Sequence, residues 1–334
     1  MSNTSPRIAI AIGDPAGIGP EVSCKAALDP GVTAMCRPLL VGDPRVIERH
    51  AAAAGLRPPL RAVARVEDAV WGSGALNVLA VPLPDGSEPA FGVHAAAFGR
   101  AALACARRAI EAALAGEVDA VVAAPHNQTS IAGAQIPFDG YPRFVAEVTG
   151  MNHHDVFLML CFGDTRIAHC TLHVGVAEAV ALITRDRVAR AIRAADAALR
   201  RIGIERPQIC VGGLNPHAGE GGLFGREEIE TIAPAIEDAK VAGIAVAGPF
   251  GCDTMFQKKG VDAFVVMLHD QGHIAAKLLA FNQSAALAIG GPILFSSVAH
   301  GSAFDIAGKG VASPAAMIEA ISRLAGANGH TNPR

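Results

Sequence analysis

The sequence predicts an α/β protein with a largely parallel sheet. Short apolar runs alternate with alanine-rich stretches of helical periodicity along most of the chain. The runs are apolar at nearly every position, the pattern of strands covered by helices on both faces. The length, 334 residues, fits about two domains at roughly 100–200 residues each and can bury a sizeable core without disulfides or metals.

The first strand is the run IAIAI at 8–12, which meets Asp14 too soon to be a signal peptide. Further strands are expected at 39–42, 76–81, 118–124, 156–161, 167–173, 207–213 and 262–268. Helices are expected at 93–115, 185–201 and 226–242, where apolar residues recur at helical spacing with Arg and Glu on the other face. The long helix at 93–115, followed by Pro125 and a polar stretch from His126 to Ser130, marks a domain crossing. The tail from Gly326 to Arg334 is expected to fray.

Composition excludes several functions. With 51% hydrophobic and 18% charged residues, the chain is not disordered over most of its length. A net charge of −3 gives no basic excess for nucleic acid or an anionic membrane surface. One Trp and one Tyr leave no platform for stacking bases. No run reaches the ~18 apolar residues of a membrane helix. The seven cysteines are scattered and never form C-x-x-C, as expected of reduced thiols in a cytoplasmic protein.

Four kinds of segment break the strand–helix rhythm. Directly after strand one, GDPAGIGPE at 13–21 is either a tight strand-to-helix turn or a set of N–H groups aimed at a ligand. Its spacing is neither a Rossmann fingerprint nor a P-loop. The stretch 125–142 carries His126, Asp139 and Tyr141 in a long polar connection. Three histidines, His173, His217 and His269, stand at or just past the ends of apolar strands. Strand ends face the ligand crevice in α/β folds, and three imidazoles there can hold a divalent metal with positions left open. No H-E-x-x-H is present, and His153-His154 reads as solvated surface. The last segment, AHGSAFDIAGKGVASP at 299–314, is a glycine-rich loop leading into a C-terminal helix, with HGSAFDIAGKG at 300–310 its most specific string.

That loop resembles the adenine-side cofactor loop of isocitrate and isopropylmalate dehydrogenases, which bind NAD without G-x-G-x-x-G. GDPAGIGPE, PHNQTSIAGAQIPFDGYP, LNPHAGEGGLFGREEI, GPFGCDTMFQ and MLHDQGHIAAKL, in this order, resemble the 4-hydroxythreonine-4-phosphate dehydrogenase family over nearly the whole chain. The resemblance implies two α/β/α domains with a cleft between them, read here as 1–127 plus 300–334 on the cofactor side and 128–299 on the substrate, metal and dimer side. It implies a homodimer with a shared active site, NAD, and one divalent metal (Zn, Mg, Co or Mn) on His173, His217 and His269. Lys277 matches the family's substrate-contacting lysine and Asp253 its acidic substrate residue. The expected cofactor contacts are Asp14, Gly17, His300, Gly301, Ser302 and Asp305.

The chain also departs from the family pattern. An Asn and an Arg that hold the phosphorylated substrate fall on Ala286 and Phe295. The His-Thr pair becomes Tyr141-Pro142, and the His-Lys pair becomes His126-Asn127. A buried phosphate without its Arg is left unpaired. Several strings, among them MNHHDVFLML and SSVAHGSAFDIAGKG, are similar to the branch acting on terephthalate cis-dihydrodiols. The expectation is therefore an NAD-dependent, metal-assisted oxidative decarboxylation of a carboxylated cis-dihydrodiol. His126, Tyr141, Pro142, Arg143, Lys277, Ala286 and Phe295 would surround the substrate. Lys277 binds a carboxylate or assists proton transfer, and Asp253 orients a hydroxyl or a metal-bound water. The alternative is 4-hydroxythreonine-4-phosphate or a phosphorylated sugar acid, with Arg143 replacing the missing Arg. A binding protein without activity is disfavoured by the three histidines, Asp253 and Lys277.

Overall fold

The computed structural model describes residues 5–84, 86–280, 284–298 and 300–328. Its strands are β1 (Arg7–Ala11), β2 (Arg37–Gly42), β3 (Leu60–Val63), β4 (Leu76–Ala80), β5 (Ala120–Ala123), β6 (Phe157–Phe162), β7 (Thr165–His169), β8 (Gln208–Gly212), β9 (Ala245–Phe250), β10 (Ala263–Val266), β11 (Ala285–Ile289) and β12 (Phe295–Val298). They form one sheet in the order β3-β4-β2-β1-β5-β12-β11-β6-β7-β10-β8-β9. Pairing is parallel except between β11 and β12, β11 and β6, and β6 and β7. The chain is thus a mixed α/β protein with a large, mostly parallel central sheet, as its continuous apolar strands predict.

The differences have local causes. β3 (LRAV) and β9 (AVAGPF) are edge strands with exposed positions, so neither reads as an apolar run. β11 (AALAI) is alanine-rich and mimics a helix, and β12 (FSSV) carries two serines. The strand expected at 167–173 ends at His169, which leaves His173 in the loop beyond it. The helix at 185–201 occurs as Arg185–Arg201. The one expected at 226–242 opens with a π turn, Glu228–Ile232, and continues as Ala233–Val241. Pro234 lacks the N–H that an unbroken α-helix would use there. Of the expected frayed tail, residues up to Asn328 form a short turn of helix, and 329–334 lie outside the described residues.

One large core runs along the sheet, and a smaller one lies under the helix His269–Ala280. Gly272, Ala276 and Ala280 face that smaller core at four-residue spacing, so the helix lies close on β6 and β7. This close approach fixes the height of the histidines on the adjoining stripe. Near the N-terminus, buried Glu21 accepts from Lys25 Nζ (2.7 Å) and Ala312 N (2.9 Å), and Lys25 also donates to Gly310 O and Ala312 O. This clamp ties the first helix, Gly19–Ala27, to the segment after the 300–310 loop. Removing one partner leaves a poorly solvated charge, so Glu21→Ala should cost about 3–5 kcal/mol in denaturant unfolding. A loss under about 1 kcal/mol would show that the clamp is not structural.

Candidate functional site

The expected site residues fall into three groups. The first joins the turn after β1 to the 300–310 loop. Residues 13–21 are buried throughout. Asp14 N donates to Pro125 O, Ala16 N to Asp14 Oδ1, Gly17 N to Asp14 O and Ile18 N to Ser302 O. These N–H groups are spent internally, so the tight-turn reading holds and the segment forms no open anion cradle. A Cβ at Gly17 would lie 2.7 Å from Ser302 O, so glycine is needed for the loop to seat on the turn. Asn127 links the parts: its Oδ1 caps the helix Gln128–Gly133 through Ser130 N, and its Nδ2 donates to Ser302 Oγ (3.2 Å). His94 Nδ1 donates to the same Oδ1 (3.2 Å), and its ring lies 4.7 Å from that of Phe304. Asp14 and Ser302 are buried, His300 is half-buried, and Gly301 and Asp305 are exposed. Asp14 Oδ2 has no hydrogen-bond partner, and burial raises the carboxyl above its usual range. Ala299, at the start of the expected loop, lies outside the described residues.

The second group is aromatic. His126 packs edge-on against Phe138 (4.7 Å) and Tyr141 (5.0 Å), and Tyr141 lies 5.1 Å from Phe295. Tyr141 Oη donates to Ala124 O (3.3 Å). Pro142 sits in the first turn of the helix Tyr141–Thr149. Arg143 Nη1 is held by Asp139 Oδ2 at 3.2 Å, and both are exposed. Phe295 is only 1% exposed and Ala286 only 9%, so in the single chain both pack into the core. Pairing in the sheet explains this. Ala286 and Ala288 face Ser297 and Phe295 across β11–β12, on a sheet face that helices cover. The rings that reach the surface are His126 and Phe138, beside half-buried Pro142 and exposed Arg143.

The third group holds the histidines. His173 and His269 have ring centroids 5.6 Å apart. Thr171 Oγ1 donates to Met267 O (2.7 Å) and holds the two segments together. His269 Nδ1 donates to Asp270 Oδ1 (2.6 Å), the kind of carboxylate partner that orients an imidazole whose other nitrogen meets a metal. His217 lies in a loop where it, Ala218 and Glu220 all adopt left-handed φ of 43–54°. Buried Glu228 pins this loop by accepting from Leu214 N and Asn215 N, both at 2.7 Å. His217 and Asp253 both border Gly251, whose added Cβ would lie 2.6 Å from Asp253 Oδ1 and 3.6 Å from His217 Cα. Gln271 ties the two histidine segments: its Oε1 accepts from Met267 N and Leu268 N, and its Nε2 donates to Gly213 O (3.1 Å). Among the described residues, no three His, Cys, Asp or Glu side chains of one chain gather closely enough to hold a metal. The donor chemistry fits a divalent ion; a complete set does not form within the single chain.

Two further histidines belong here. His273 stacks on His269 with centroids 3.7 Å apart, and its Nδ1 lies 3.1 Å from His169 Nε2. The signal for His273 was its four-residue offset from His269. Buried His169, inside an apolar strand, had none. Glu228 and His94 were also unmarked, because their partners Leu214, Asn215 and Asn127 lie outside their own elements. Two surface cavities, of 540 and 440 Å³, lie elsewhere and are lined by none of the expected site residues.

Burial lowers His50 to about 4 and His126 to about 4. Both are neutral in the fold but titrate near 6.5 when unfolded. Stability is therefore complete above pH 6.5 and falls as the pH drops towards 4, because the unfolded chain takes up more protons. The loss for His50 alone is on the order of 3 kcal/mol. Thermal unfolding from pH 7.5 to 4 should show this decline, and His50→Gln should flatten it. An unchanged slope would refute the assignment.

Residues 34–324 match the family model described as pyridoxal phosphate biosynthetic protein PdxA. A putative D-threonate 4-phosphate dehydrogenase from Symbiobacterium thermophilum is 43% identical, over 96% of each chain. A 1,2-dihydroxy-3,5-cyclohexadiene-1,4-dicarboxylate dehydrogenase from Comamonas sp. is 41% identical, over 95% of this chain and 96% of its own. The crystal structure of a 4-hydroxythreonine-4-phosphate dehydrogenase from Burkholderia phymatum superposes with a TM-score of 0.86 at 37% identity, covering 97% of this chain and 99% of that one.

Proposed function

The chain belongs to the pyridoxal phosphate biosynthetic protein PdxA family of dehydrogenases, and on that premise we propose that it oxidises a carboxylated cis-dihydrodiol with NAD. The substrate class is that of the Comamonas relative. A hydride leaves the hydroxyl-bearing carbon for NAD and the hydroxyl proton is lost. The β-keto acid formed then releases carbon dioxide, and its enol is the aromatic phenol. With the carboxyl groups ionised the balance is dihydrodiol dicarboxylate plus NAD⁺ to dihydroxybenzoate, CO₂ and NADH, the hydroxyl proton returning to the enolate that decarboxylation leaves; with the terephthalate diol the product is protocatechuate.

The observation that carries this reading is the wall beside Tyr141. Its accessible members, His126 and Phe138, are aromatic, and burial keeps His126 neutral. The neighbouring cation, Arg143, is already engaged by Asp139. An apolar wall gains about 25 cal/mol per Å² of ring covered and disfavours a phosphate dianion. Lys277, exposed on the histidine helix, holds a substrate carboxylate or moves a proton. Asp253 orients a hydroxyl. Gly17, Ser302 and the 300–305 loop hold the cofactor, with Asp14 supporting them from beneath.

His173, His217 and His269 would hold a divalent ion, with a second copy of the chain completing the set. Such an ion supplies polarisation of the oxygen being oxidised. Exposed Val176, Leu223, Ile274 and Leu278 support a homodimer that covers these surfaces. The division into 1–127 plus 300–334 and 128–299 remains part of this reading, although one sheet spans both. So does a cytoplasmic setting, supported by seven free cysteines. No helix among the described residues is long and apolar enough to cross a membrane.

A phosphorylated sugar acid is the second reading, favoured by the Symbiobacterium relative. NADH formation decides between them. The dihydrodiol should exceed D-threonate 4-phosphate and 4-phosphohydroxythreonine by about 100-fold or more in kcat/KM. A higher value for either phosphate ester would overturn the dihydrodiol assignment.

A further inference from the structure

His269, His273 and Lys277 share one stripe of the helix His269–Ala280 at four-residue spacing. His273 is half-buried between the other two. Its ring is nearly parallel to that of His269, with 12° between the planes and 3.7 Å between centroids. Imidazole lone pairs lie in the ring plane, so parallel stacked rings cannot both aim at one ion. His273 therefore addresses the space beside whatever His269 holds.

Two carbonyl groups set the protons. Leu158 O can only accept, so His169 Nδ1 (3.2 Å away) carries the hydrogen and His169 Nε2 is bare. His273 Nδ1 faces that bare nitrogen at 3.1 Å and His269 O at 3.3 Å. Facing two acceptors, Nδ1 carries the proton, and His273 Nε2 is left as a lone pair. The sequence makes room for this arrangement with Gly272, where an added Cβ would collide with His169 Nε2.

We propose that His273 Nε2 accepts a hydrogen bond from a substrate hydroxyl adjacent to the one being oxidised, and that His169 is the positioning residue that fixes the required tautomer. This rests on reading the His173–His269 face as the substrate site. A bare imine nitrogen accepts from O–H and offers nothing to the oxygens of a phosphate or carboxylate. The two oxygens of a vicinal diol lie side by side, as the two stacked rings do. The carboxylated cis-dihydrodiol supplies this donor, with one hydroxyl beside His269 and its neighbour against His273.

The test has a spectroscopic arm and a kinetic arm. Long-range ¹⁵N–¹H spectra of the full chain, without added metal, should show His273 protonated at Nδ1 and bare at Nε2. In His169→Leu the two tautomers should mix, whereas His169→Gln, which restores an acceptor, should keep the original one. In NADH assays, His273→Leu should lower kcat/KM on a carboxylated vicinal diol by about tenfold or more. On the monohydroxy analogue the value should stay within about twofold of wild type. A proton on His273 Nε2, or equal losses on both substrates, would overturn the His273 assignment while leaving the proposed activity intact. A wild-type enzyme that oxidises no carboxylated vicinal diol would bring down both, whatever the spectra show.

Discussion

Replacing Lys277 by alanine is expected to lower kcat by about 10²–10⁴-fold if the lysine moves a proton. The side chain is exposed on the same stripe as His269 and His273, so its removal leaves no cavity. The melting temperature should barely move, because substitutions of exposed side chains cost within about 0.5 kcal/mol. The two roles for Lys277 separate kinetically. A proton-transfer role gives a kcat loss and removes a basic limb from the pH–rate profile. A purely carboxylate-binding role raises KM instead, by an amount matching a hydrogen bond to a charged group, about 1.5–3 kcal/mol. If Lys277→Ala keeps both kcat and KM within threefold of wild type, the lysine is not part of the site.

Phe295→Arg should destabilise the protein by about 3–5 kcal/mol, the cost of leaving a charge buried and uncompensated. From the sequence alone, this substitution restores the family's phosphate-binding arginine and should shift specificity. The structure changes the expectation, because Phe295 is 1% exposed and packs against Tyr141 within the main core. Phe295→Ala should cost a similar amount through the cavity it opens. Phe295→Leu, closer in volume, should fold and serve as the specificity probe. Denaturant unfolding of the three variants beside wild type measures the effect. A Phe295→Arg protein with wild-type stability would return the residue to the pocket wall. Ala286, on the same sheet face and opposite Ser297, is expected to follow Phe295: enlarging it strains the smaller core before it touches a ligand.

The sequence by itself determined the α/β class and most of the central strands, because a strand covered on both faces must be apolar throughout. It determined the places where that rhythm breaks, including the segments that carry His173, His217 and His269. It could not reveal β9 or β11, since an exposed edge and an alanine-rich strand have no periodic signature. The tertiary structure decided which residues share a space. Asn127 meets Ser302 from 175 positions away, and His273 meets His169 from 104 positions away. It also decided which side chains are buried: whether Phe295 faces ligand or core depends on pairing with β11 and on the helix that carries Tyr141. Hydrophobic pattern is a local property and is written in the chain. Hydrogen-bond partnership and burial depend on how distant segments are stacked, and only the assembled sheet fixes them.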